Sequence, residues 1–230
     1  KNQLLFVRVI EEEQKRKELE FSLLQAQIKP HFLYNALDAI YCLNEMGRCK
    51  EASSMTKLLS EYYRRALNNG LEKVTLKKEM ELTEIYLQIQ SVRYPSILSY
   101  RMECEKSIEA FEIPKLTLQP LVENALYHGI KNKRGGGCIV LRGYEDRNGL
   151  VFEVEDDGIG MDEAELAAVR AKLTLEPEEE LAPIGSGGFG LHNVAQRIQM
   201  YYGDQAEILV ESEKNIGTCF KVYLGNQKKS

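Results

Sequence analysis

Hydrophobic and polar positions over the first 70 residues predict two helices that form a hairpin. Over about the first 46 residues no glycine occurs and Glu, Gln, Lys and Leu dominate, a composition typical of helices. Gly47 ends this pattern, and a second helix is predicted over residues 51–67, ahead of the Asn-Asn-Gly at residues 68–70. The apolar residues that share helical spacing in the first segment are Leu24, Ile28, Leu33, Leu37, Ile40 and Leu43.

A helical hairpin on its own leaves an apolar stripe in water, because each stripe needs a facing partner. Residues 11–20 are almost wholly charged, which indicates a helix that is solvated or paired with a partner helix. Packing against an identical hairpin into a four-helix bundle would bury the stripe. We therefore expect residues 1–70 to form a homodimeric helical-hairpin domain.

From about residue 71 the pattern changes to helical stretches interleaved with alternating strands, which predicts a second domain over residues 71–230. Helices are predicted over residues 77–94, 114–130, 162–173 and 191–202. Strands are predicted over residues 99–104, 138–146, 150–156, 206–211 and 218–224, with a hairpin signal at Asn148-Gly149. This order favours an α/β sandwich, a mixed sheet with helices on one face, and an α+β class for the whole chain. Residues 175–183 are acidic and contain proline, which predicts a mobile loop that acts as a lid.

Composition and charge exclude several classes of protein. The 230 residues are 43% hydrophobic and 28% charged, the balance of a globular protein. A net charge of −5 argues against nucleic-acid binding, which requires a surplus of Lys and Arg. No apolar run approaches the roughly 18 residues that span a bilayer. The five cysteines lack a C-x-x-C pair, which favours reduced thiols in the cytoplasm.

A polar stripe on the first helix is one candidate for chemistry. The stripe consists of His31, Asn35, Asp38 and Cys42, at positions i, i+4, i+7 and i+11. Pro30 precedes it and predicts a bend in the helix at His31. One interpretation is an exposed nucleophilic imidazole on a dimer helix. The other is a surface histidine at a harmless kink, which this segment alone favours.

Asp156 is a second candidate, because it ends a predicted strand in phase with Phe152 and Val154. Its carboxylate should therefore point to the buried side of the sheet, where it needs a partner such as the exocyclic amine of a purine. Gly158 and Gly160 follow, and because they lack a Cβ atom a flat ring can lie against the backbone. The alternative is an ordinary Asp-Gly turn, which this segment alone favours.

Residues 118–130 form a predicted amphipathic helix whose polar side carries Glu123, Asn124, Tyr127 and His128. An asparagine amide oxygen suits a Mg²⁺ ion already bound to phosphates. The carboxylate beside it could orient a nucleophile or help to hold the waters of the metal. The alternative is ordinary solvated polarity.

Residues 185–190 (GSGGFG) lead directly into a predicted helix, so their backbone N–H groups and the helix N-terminus favour an anion. They also match G-x-G-x-x-G, with Glu211 about 20 residues further on, but a dinucleotide-binding fold requires a strand directly before this motif. Here the acidic residues 176–180 precede it, so we reject that match. Thr218 opens the last strand in phase with the apolar residues after it, and its hydroxyl should lie near Asp156.

Four of these segments, in order, resemble the sequence boxes of sensor histidine kinases of the LytS/YesM type. Residues 25–35 (QAQIKPHFLYN) resemble the phospho-acceptor box, and residues 118–129 (LQPLVENALYHG) resemble the N box. The motif Asp156-x-Gly158-x-Gly160 is similar to the G1 box, and residues 188–194 (GFGLHNV) to the G2 box. Together they cover essentially the whole chain.

The resemblance implies a dimerisation and histidine-phosphotransfer hairpin followed by an ATP-binding domain of the gyrase/Hsp90/histidine-kinase/MutL type. By position, His31 would be the phosphorylated residue and Asn124 the Mg²⁺ ligand. Asp156, helped by Thr218, would bind the adenine amine. The glycines that would shape the nucleotide pocket and its lid are Gly158, Gly160, Gly188 and Gly190. Further candidates for contacts with the phosphates are His128 and Lys131.

Two features depart from the family pattern. Many histidine kinases place an acid directly after the phospho-acceptor histidine, whereas this sequence has Phe32 there. The general base is therefore open, with Glu123 as the first candidate and Asp38 as the second. The G2 segment carries one more glycine than the pattern, so the alignment between Gly185 and Gly188 is ambiguous by one residue.

The activity that the resemblance implies is ATP-dependent autophosphorylation of His31, followed by transfer to an aspartate of a cognate response regulator. Asn35 would position a water for the reverse phosphatase step. The alternative is a dimeric conformational switch that binds ATP without phosphorylating itself. A helical scaffold with a vestigial domain is a third interpretation, which Asn124 and Asp156 argue against. Because the chain begins abruptly at Lys1, we expect a membrane-anchored sensor region upstream and a cytoplasmic location for this part.

Overall fold

The computed structural model describes residues 30–67, 73–147, 149–174 and 189–225. The chain divides into two compact units, residues 1–69 and residues 70–230. The predicted helix before residue 30, the bend predicted at its junction with Pro30 and the predicted lid over residues 175–183 lie outside the described residues.

The first unit contains a helical hairpin. Helix α1 spans Pro30–Glu45 and helix α2 spans Cys49–Ala66, so the second helix begins slightly before the predicted residue 51. Helix α1 ends at a glycine, since Gly47 adopts a φ of 73° and the N–H of Arg48 donates to the carbonyl of Leu43 at 2.8 Å. This reversal satisfies a terminal carbonyl of the helix, and its left-handed residue is usually glycine.

The two helices pack through one apolar face each. The buried side chains are Phe32, Ala36 and Leu43 from α1 and Ala52, Met55, Leu59, Tyr62 and Ala66 from α2. The rings of Phe32 and Tyr62 lie 4.9 Å apart, a separation typical of favourable aromatic pairs. A second apolar stripe on α1 remains exposed within the single chain, namely Tyr34 (65%), Leu37 (48%) and Tyr41 (65%).

The second unit alternates strands and helices. In chain order its elements are β1 (Lys73–Thr75), α3 (Leu76–Arg93), β2 (Leu98–Cys104), β3 (Glu112–Pro114), α4 (Leu118–Asn124), β4 (Gly137–Asp146), β5 (Gly149–Asp156), α5 (Glu163–Thr174), α6 (Phe189–Tyr202), β6 (Ala206–Glu213) and β7 (Gly217–Gly225). A π-helical turn, Ala125–Ile130, continues α4, and short 3₁₀ turns lie at Lys106–Ile108 and Gly203–Gln205.

Five strands form one sheet in the order β2-β4-β5-β7-β6. Strand β2 runs parallel to β4 and the other pairs are antiparallel, so the sheet is mixed, as predicted. One face buries side chains such as Phe152 and Phe220. Neighbouring positions on the other face form ion pairs, for example Lys221 with Glu153 at 3.7 Å and with Glu211 at 3.3 Å. The helices therefore cover one face of the sheet and water contacts the other.

The predicted helix over residues 114–130 is wrong at its start. Residues Glu112–Pro114 form β3, which pairs antiparallel with β1 so that Val74 lies opposite Ile113. Three-residue strands contain too few alternating positions for a periodic pattern to reveal them. Helix α4 consequently begins only at Leu118, and its last turn widens so that Lys131 N–H donates to the carbonyl of Leu126, five residues back, at 2.8 Å.

Two charged side chains from different helices, one buried and one half-buried, hold the start of α4. Glu79 of α3 is 1% exposed, and its carboxylate accepts hydrogen bonds from the N–H groups of Leu116 and Leu118 at 3.0 and 3.1 Å. Arg197 of α6 donates to the carbonyl oxygens of Lys115 and Leu116, both at 2.8 Å. The backbone before α4 is therefore satisfied from two sides by long-range partners.

This arrangement replaces a local helix cap. Thr117 precedes α4 but its side chain makes no capping hydrogen bond, so the Glu79 carboxylate supplies the acceptor that the first amides need. Leu116 has a φ of 59°, a strained value for leucine, and the bonds on both of its sides hold it there. Burial raises the pKa of Glu79, against its backbone hydrogen bonds and the charge of Arg197, and burial lowers the pKa of Arg197, against the charge of Glu79.

Replacing Glu79 with alanine should lower the free energy of unfolding by about 2–4 kcal/mol, because the change leaves the N–H groups of Leu116 and Leu118 without an acceptor. Denaturant-induced unfolding measures the loss. The matched control is Glu84→Ala, an exposed carboxylate on the same helix, which should cost less than about 0.5 kcal/mol. Equal losses in the two variants would contradict the proposed capping role.

Candidate active site

His31 lies exposed in the first turn of α1, next to an amide that holds its ring. The Nδ2 atom of Asn35 lies 3.0 Å from Nδ1 and 3.2 Å from Nε2 of His31, one helical turn away. An amide N–H donates only to a ring nitrogen without a proton, so this contact is compatible with a neutral imidazole. The predicted spacing therefore does bring His31 and Asn35 together on an accessible surface.

The residue after His31 has a structural role. Phe32 is 4% exposed and packs against Tyr62 in the hairpin core, so the position where many histidine kinases carry an acid is taken by a packing residue. Asp38 and Cys42 continue the exposed stripe on α1. Within the hairpin, Asp38 is thus the carboxylate of the predicted stripe that is accessible to solvent.

Glu123 and Asn124 end α4, and both are half-buried. Gln119, one turn earlier, donates from Nε2 to Oε1 of Glu123 at 2.8 Å, which orients the carboxylate. The start of this helix is held by Glu79 and Arg197, so the positions of Glu123 and Asn124 depend on those two side chains.

The π-helical turn after Asn124 brings the backbone against the end of strand β5. A Cβ atom on Gly129 would lie 2.3 Å from Oδ1 of Asp156, far inside a normal contact. Only glycine permits this approach. Sequence reasoning did not assign Gly129 a role, although the glycine at the end of the polar helix was the available signal.

Asp156 is 3% exposed, as the phase of its strand predicts. Its Oδ1 accepts a hydrogen bond from the N–H of Gly158 at 2.9 Å, and Thr218 is its cross-strand partner on β7. Burial raises the pKa of Asp156 to about 6, while the Gly158 bond acts in the opposite direction. A backbone hydrogen bond from Thr218 to the carboxylate also lowers its pKa, and the remaining lone pairs of the carboxylate can accept a hydrogen bond from a ligand.

Gly158 and Gly160 serve the packing of the chain itself, which differs from the predicted reason for their presence. A Cβ on Gly158 would lie 2.4 Å from Asp156 Oδ1, and one on Gly160 would lie 1.9 Å from the carbonyl oxygen of Glu213. Gly160 also has a φ of 59°, which favours glycine. Gly190 lies in the first turn of α6, and Gly188 lies outside the described residues.

The predicted phosphate contacts His128 and Lys131 are both exposed. The Nζ of Lys131 lies 5.6 Å from the ring centroid of Tyr127, so the ammonium group rests over an aromatic face. Lys133, which the sequence did not single out, lies nearer to the glycine motif. Its Nζ is 3.3 Å from Oδ1 of Asp157 and also donates to the Asp157 carbonyl.

Thr218 is 7% exposed, and its hydroxyl oxygen lies 2.9 Å from Oγ of Ser212 on β6. Asp156, Thr218 and Ser212 are cross-strand neighbours on β5, β7 and β6. They therefore form one polar row across the buried face of the sheet. Sequence reasoning included the first two and missed Ser212, which lies on a strand of otherwise ordinary alternation.

Comparison with known families agrees with the motifs. A family model described as histidine kinase matches residues 19–98. A second, described as the histidine kinase-, DNA gyrase B-, and HSP90-like ATPase, matches residues 114–228. The chain belongs to the histidine kinase family. The resemblance that the four boxes indicate is thereby confirmed, and the second match places this family member among proteins with an ATPase domain of that type.

Sensor proteins are among the similar relatives of this histidine kinase chain. It is 31% identical to the sensor histidine kinase YesM of Bacillus subtilis (strain 168) over 202 residues, which is 88% of the chain and 32% of that protein. It is 30% identical to the sensor histidine kinase BtsS of Escherichia coli (strain K12) over 194 residues, 84% of the chain and 31% of that protein. The chain thus spans about a third of the length of these curated relatives.

A solved structure supports the fold of this family member. A bacterial phosphotransferase solved at 1.7 Å matches with a TM-score of 0.50 at 14% identity, over 87% of this chain and 94% of that one. At this identity the likeness concerns the fold alone. Among the described residues, no helix combines the length and apolar character that crossing a bilayer requires.

Asp156→Asn should stabilise the protein at pH 7.5 by about 2–3 kcal/mol, because it removes a buried charge. The folded pKa of about 6 lies above the ordinary 3.8. The stability that protonated Asp156 contributes is therefore complete below pH 3.8 and is lost as the pH rises through about 6. The extra stability of Asp156→Asn over the wild type should therefore decrease as the pH falls to 4.

Urea unfolding of both proteins between pH 4 and 7.5 measures this difference. Asp204→Asn, at an exposed carboxylate in the turn before β6, is the matched control and should show no such trend. If the difference in the free energy of unfolding between the wild type and Asp156→Asn stays constant with pH, the raised pKa of Asp156 is wrong.

Proposed function

We propose that the protein is an ATP-dependent histidine autokinase that phosphorylates His31 and passes the phosphoryl group to an aspartate of a response regulator. The observation that carries the proposal is the exposed imidazole of His31, held one turn from Asn35 in a chain that also contains a buried acceptor site at Asp156. Membership of the histidine kinase family supports the same reaction.

The acceptor site at Asp156 fits the adenine of ATP. An ionised carboxylate only accepts hydrogen bonds, and an exocyclic amine donates two. The backbone N–H groups of Gly158 and Thr218 already donate to the carboxylate, and one of its remaining lone pairs would receive the amine. Gly129 and Gly158 place backbone directly beside the carboxylate, so no side chain from these two positions competes with a ligand for it.

The residues at the end of α4 fit a Mg²⁺ ion that is shared with phosphates. The amide oxygen of Asn124 and the neighbouring Glu123 carboxylate are hard oxygen donors. No group of three or more His, Cys, Asp or Glu within the described part of the chain could hold a metal on its own. Phosphate oxygens would therefore complete the ligand set, and the bound ion would neutralise charge on the transferring group.

The reaction needs chiefly positioning from the protein. A ring nitrogen of His31 that carries no proton would attack the γ-phosphorus in line, and the bond from that phosphorus to the β–γ bridging oxygen would break, which releases ADP. The imidazole would then lose its remaining ring proton to a carboxylate. Glu123 is the first candidate for this base, because Gln119 orients it, and Asp38 is the second.

The exposed stripe of Tyr34, Leu37 and Tyr41 supports a homodimer. These side chains recur at helical spacing along α1, opposite the face that packs on α2. A second copy of the hairpin would bury these three side chains in a four-helix bundle. They lie on the same helix as His31.

The remaining partners follow from the reaction. The cognate response regulator would dock near His31, and Asn35 would position a water for dephosphorylation of that regulator. The chain would be the cytoplasmic part of a membrane-anchored sensor protein, and the relatives, of which it spans about a third, support the longer length.

His31→Gln should abolish incorporation of phosphate from γ-labelled ATP, because the side chain loses its nucleophilic nitrogen. The label on the wild type should be labile to acid and stable to alkali, as phosphohistidine is. Affinity for ATP, measured by calorimetry, serves as the control and should be unchanged. A wild type that binds ATP but takes up no label would support the non-phosphorylating switch instead.

Glu123→Gln should slow autophosphorylation by about 10²–10⁴-fold while ATP affinity changes little, because the amide cannot accept the imidazole proton. Single-turnover labelling at saturating ATP measures the rate. Asp38→Asn tests the second candidate in the same assay. An unchanged rate in Glu123→Gln together with a large loss in Asp38→Asn would reassign the base to Asp38.

A further inference from the structure

The contacts of Ser212 determine which way a neighbouring hydroxyl group points. The N–H of Met161 donates to Ser212 Oγ at 2.9 Å, and the Ser212 hydroxyl donates to the carbonyl oxygen of Gly217 at 2.9 Å. The third neighbour of Ser212 Oγ is the hydroxyl oxygen of Thr218, also at 2.9 Å. Ser212 therefore contacts three polar groups at once.

A count of hydrogens assigns the direction of the last contact. A serine hydroxyl has one hydrogen and two lone pairs. The carbonyl of Gly217 can only accept, so it takes the hydrogen of Ser212, and the N–H of Met161 takes one lone pair. The hydroxyl of Thr218 must then donate to the other lone pair. Since Thr218 has only one hydroxyl hydrogen, its oxygen can act only as an acceptor towards a ligand.

The same end of the sheet presents a second pure acceptor. Asp156 lies opposite Thr218 on the adjacent strand, and one of its oxygens is occupied by the N–H of Gly158. Ionised Asp156 and Thr218 together offer lone pairs and no hydrogen. A ligand edge that lies against them must donate, and an edge with an accepting oxygen is disfavoured because lone pairs would face each other.

We propose that Ser212 is a specificity-determining positioning residue: it fixes Thr218 as an acceptor, so that the site takes purine nucleotides with a 6-amino group and rejects those with a 6-oxo group. This inference rests on the proposed binding of ATP at Asp156. It adds a residue on β6 that touches no part of the ligand and acts through Thr218.

Ser212 has a second contact that the test must separate. Its bond to Met161 anchors the loop after Asp156, and the N–H of Asn215 in the β6–β7 turn also holds this loop by donating to the carbonyl of Ile159 at 2.7 Å. Loss of Ser212 would therefore loosen the loop and lower affinity for all nucleotides alike. Only a change in the preference between two bases reports the direction of the Thr218 hydroxyl.

The experiment compares ATP with inosine triphosphate, in which a 6-oxo group replaces the 6-amino group. At pH 8, calorimetry should show that the wild type binds ATP more tightly than inosine triphosphate. In Ser212→Ala the hydroxyl of Thr218 becomes free to donate to the 6-oxo group. The ratio of the affinity for ATP to the affinity for inosine triphosphate should therefore fall about five- to tenfold. Ser212→Thr keeps a hydroxyl at the same position and should retain the wild-type preference.

A second pair of variants tests the inference without disturbing Ser212. Thr218→Val should weaken ATP binding and leave binding of inosine triphosphate nearly unchanged, because the lost oxygen only accepts. Thr218→Ser should restore the wild-type values. In the Thr218→Val background, adding Ser212→Ala should not change the preference further. Thermal unfolding of each variant confirms that the compared proteins are folded.

Three outcomes would overturn the inference. A Ser212→Ala protein that binds ATP with an unchanged preference would remove the role of Ser212 alone, with the proposed function intact. Weaker binding of inosine triphosphate by Thr218→Val would show that the Thr218 hydroxyl hydrogen-bonds to the 6-oxo base in the wild type, which contradicts the proposed rejection of that base. A wild type that binds neither nucleotide would remove the adenine site itself, and with it both the proposed function and this inference.

Discussion

The second unit depends on the buried carboxylate of Glu79 and the half-buried guanidinium of Arg197, which together satisfy the backbone where α4 begins. Isolated, each charge would be costly to bury, and the strained backbone at Leu116 would have no reason to persist. Together they connect α3, α4 and α6 at one point. Because α4 is a short helix of seven residues, the position of its last residues follows directly from the position of its first. The polar end of α4, with Glu123 and Asn124, is thus set by contacts at its opposite end.

Beyond the polar end of α4, backbone segments approach the Asp156 carboxylate closely. The widened turn after Asn124 brings Gly129 against Asp156, and Gly158 comes close from the following loop. The absence of side chains at both glycines leaves the Asp156 carboxylate surrounded by backbone and buried, at a pKa of about 6. This position is unfavourable for the folded protein near neutral pH, because a charge is held away from water. Such a cost is expected at a binding site, where the ligand supplies the missing donor.

In the hairpin, two adjacent residues have different roles: one packs in the core and the other is exposed to solvent. Phe32 lies in the core against Tyr62, while His31 directly before it faces solvent. A helix turns about 100° per residue, so neighbouring positions point in different directions and one can anchor the helix while the other is displayed. The departure from an acid after the phospho-acceptor histidine therefore has a structural reason in this chain. In the proposed reaction, the base for His31 would therefore come from another part of the protein.

Local rules were sufficient for much of this protein. The period of the strands determined that Asp156 points inwards, the spacing of α1 determined that His31 and Asn35 share a face, and the order of four motifs determined the family. Periodicity, however, records only which face of an element is apolar. The pairing of β1 with β3, the approach of Gly129 to Asp156, the capping of α4 by Glu79 and the orientation of Thr218 by Ser212 join residues that are distant in sequence or on separate strands. These contacts depend on how the elements pack in three dimensions, so only the tertiary structure decided them.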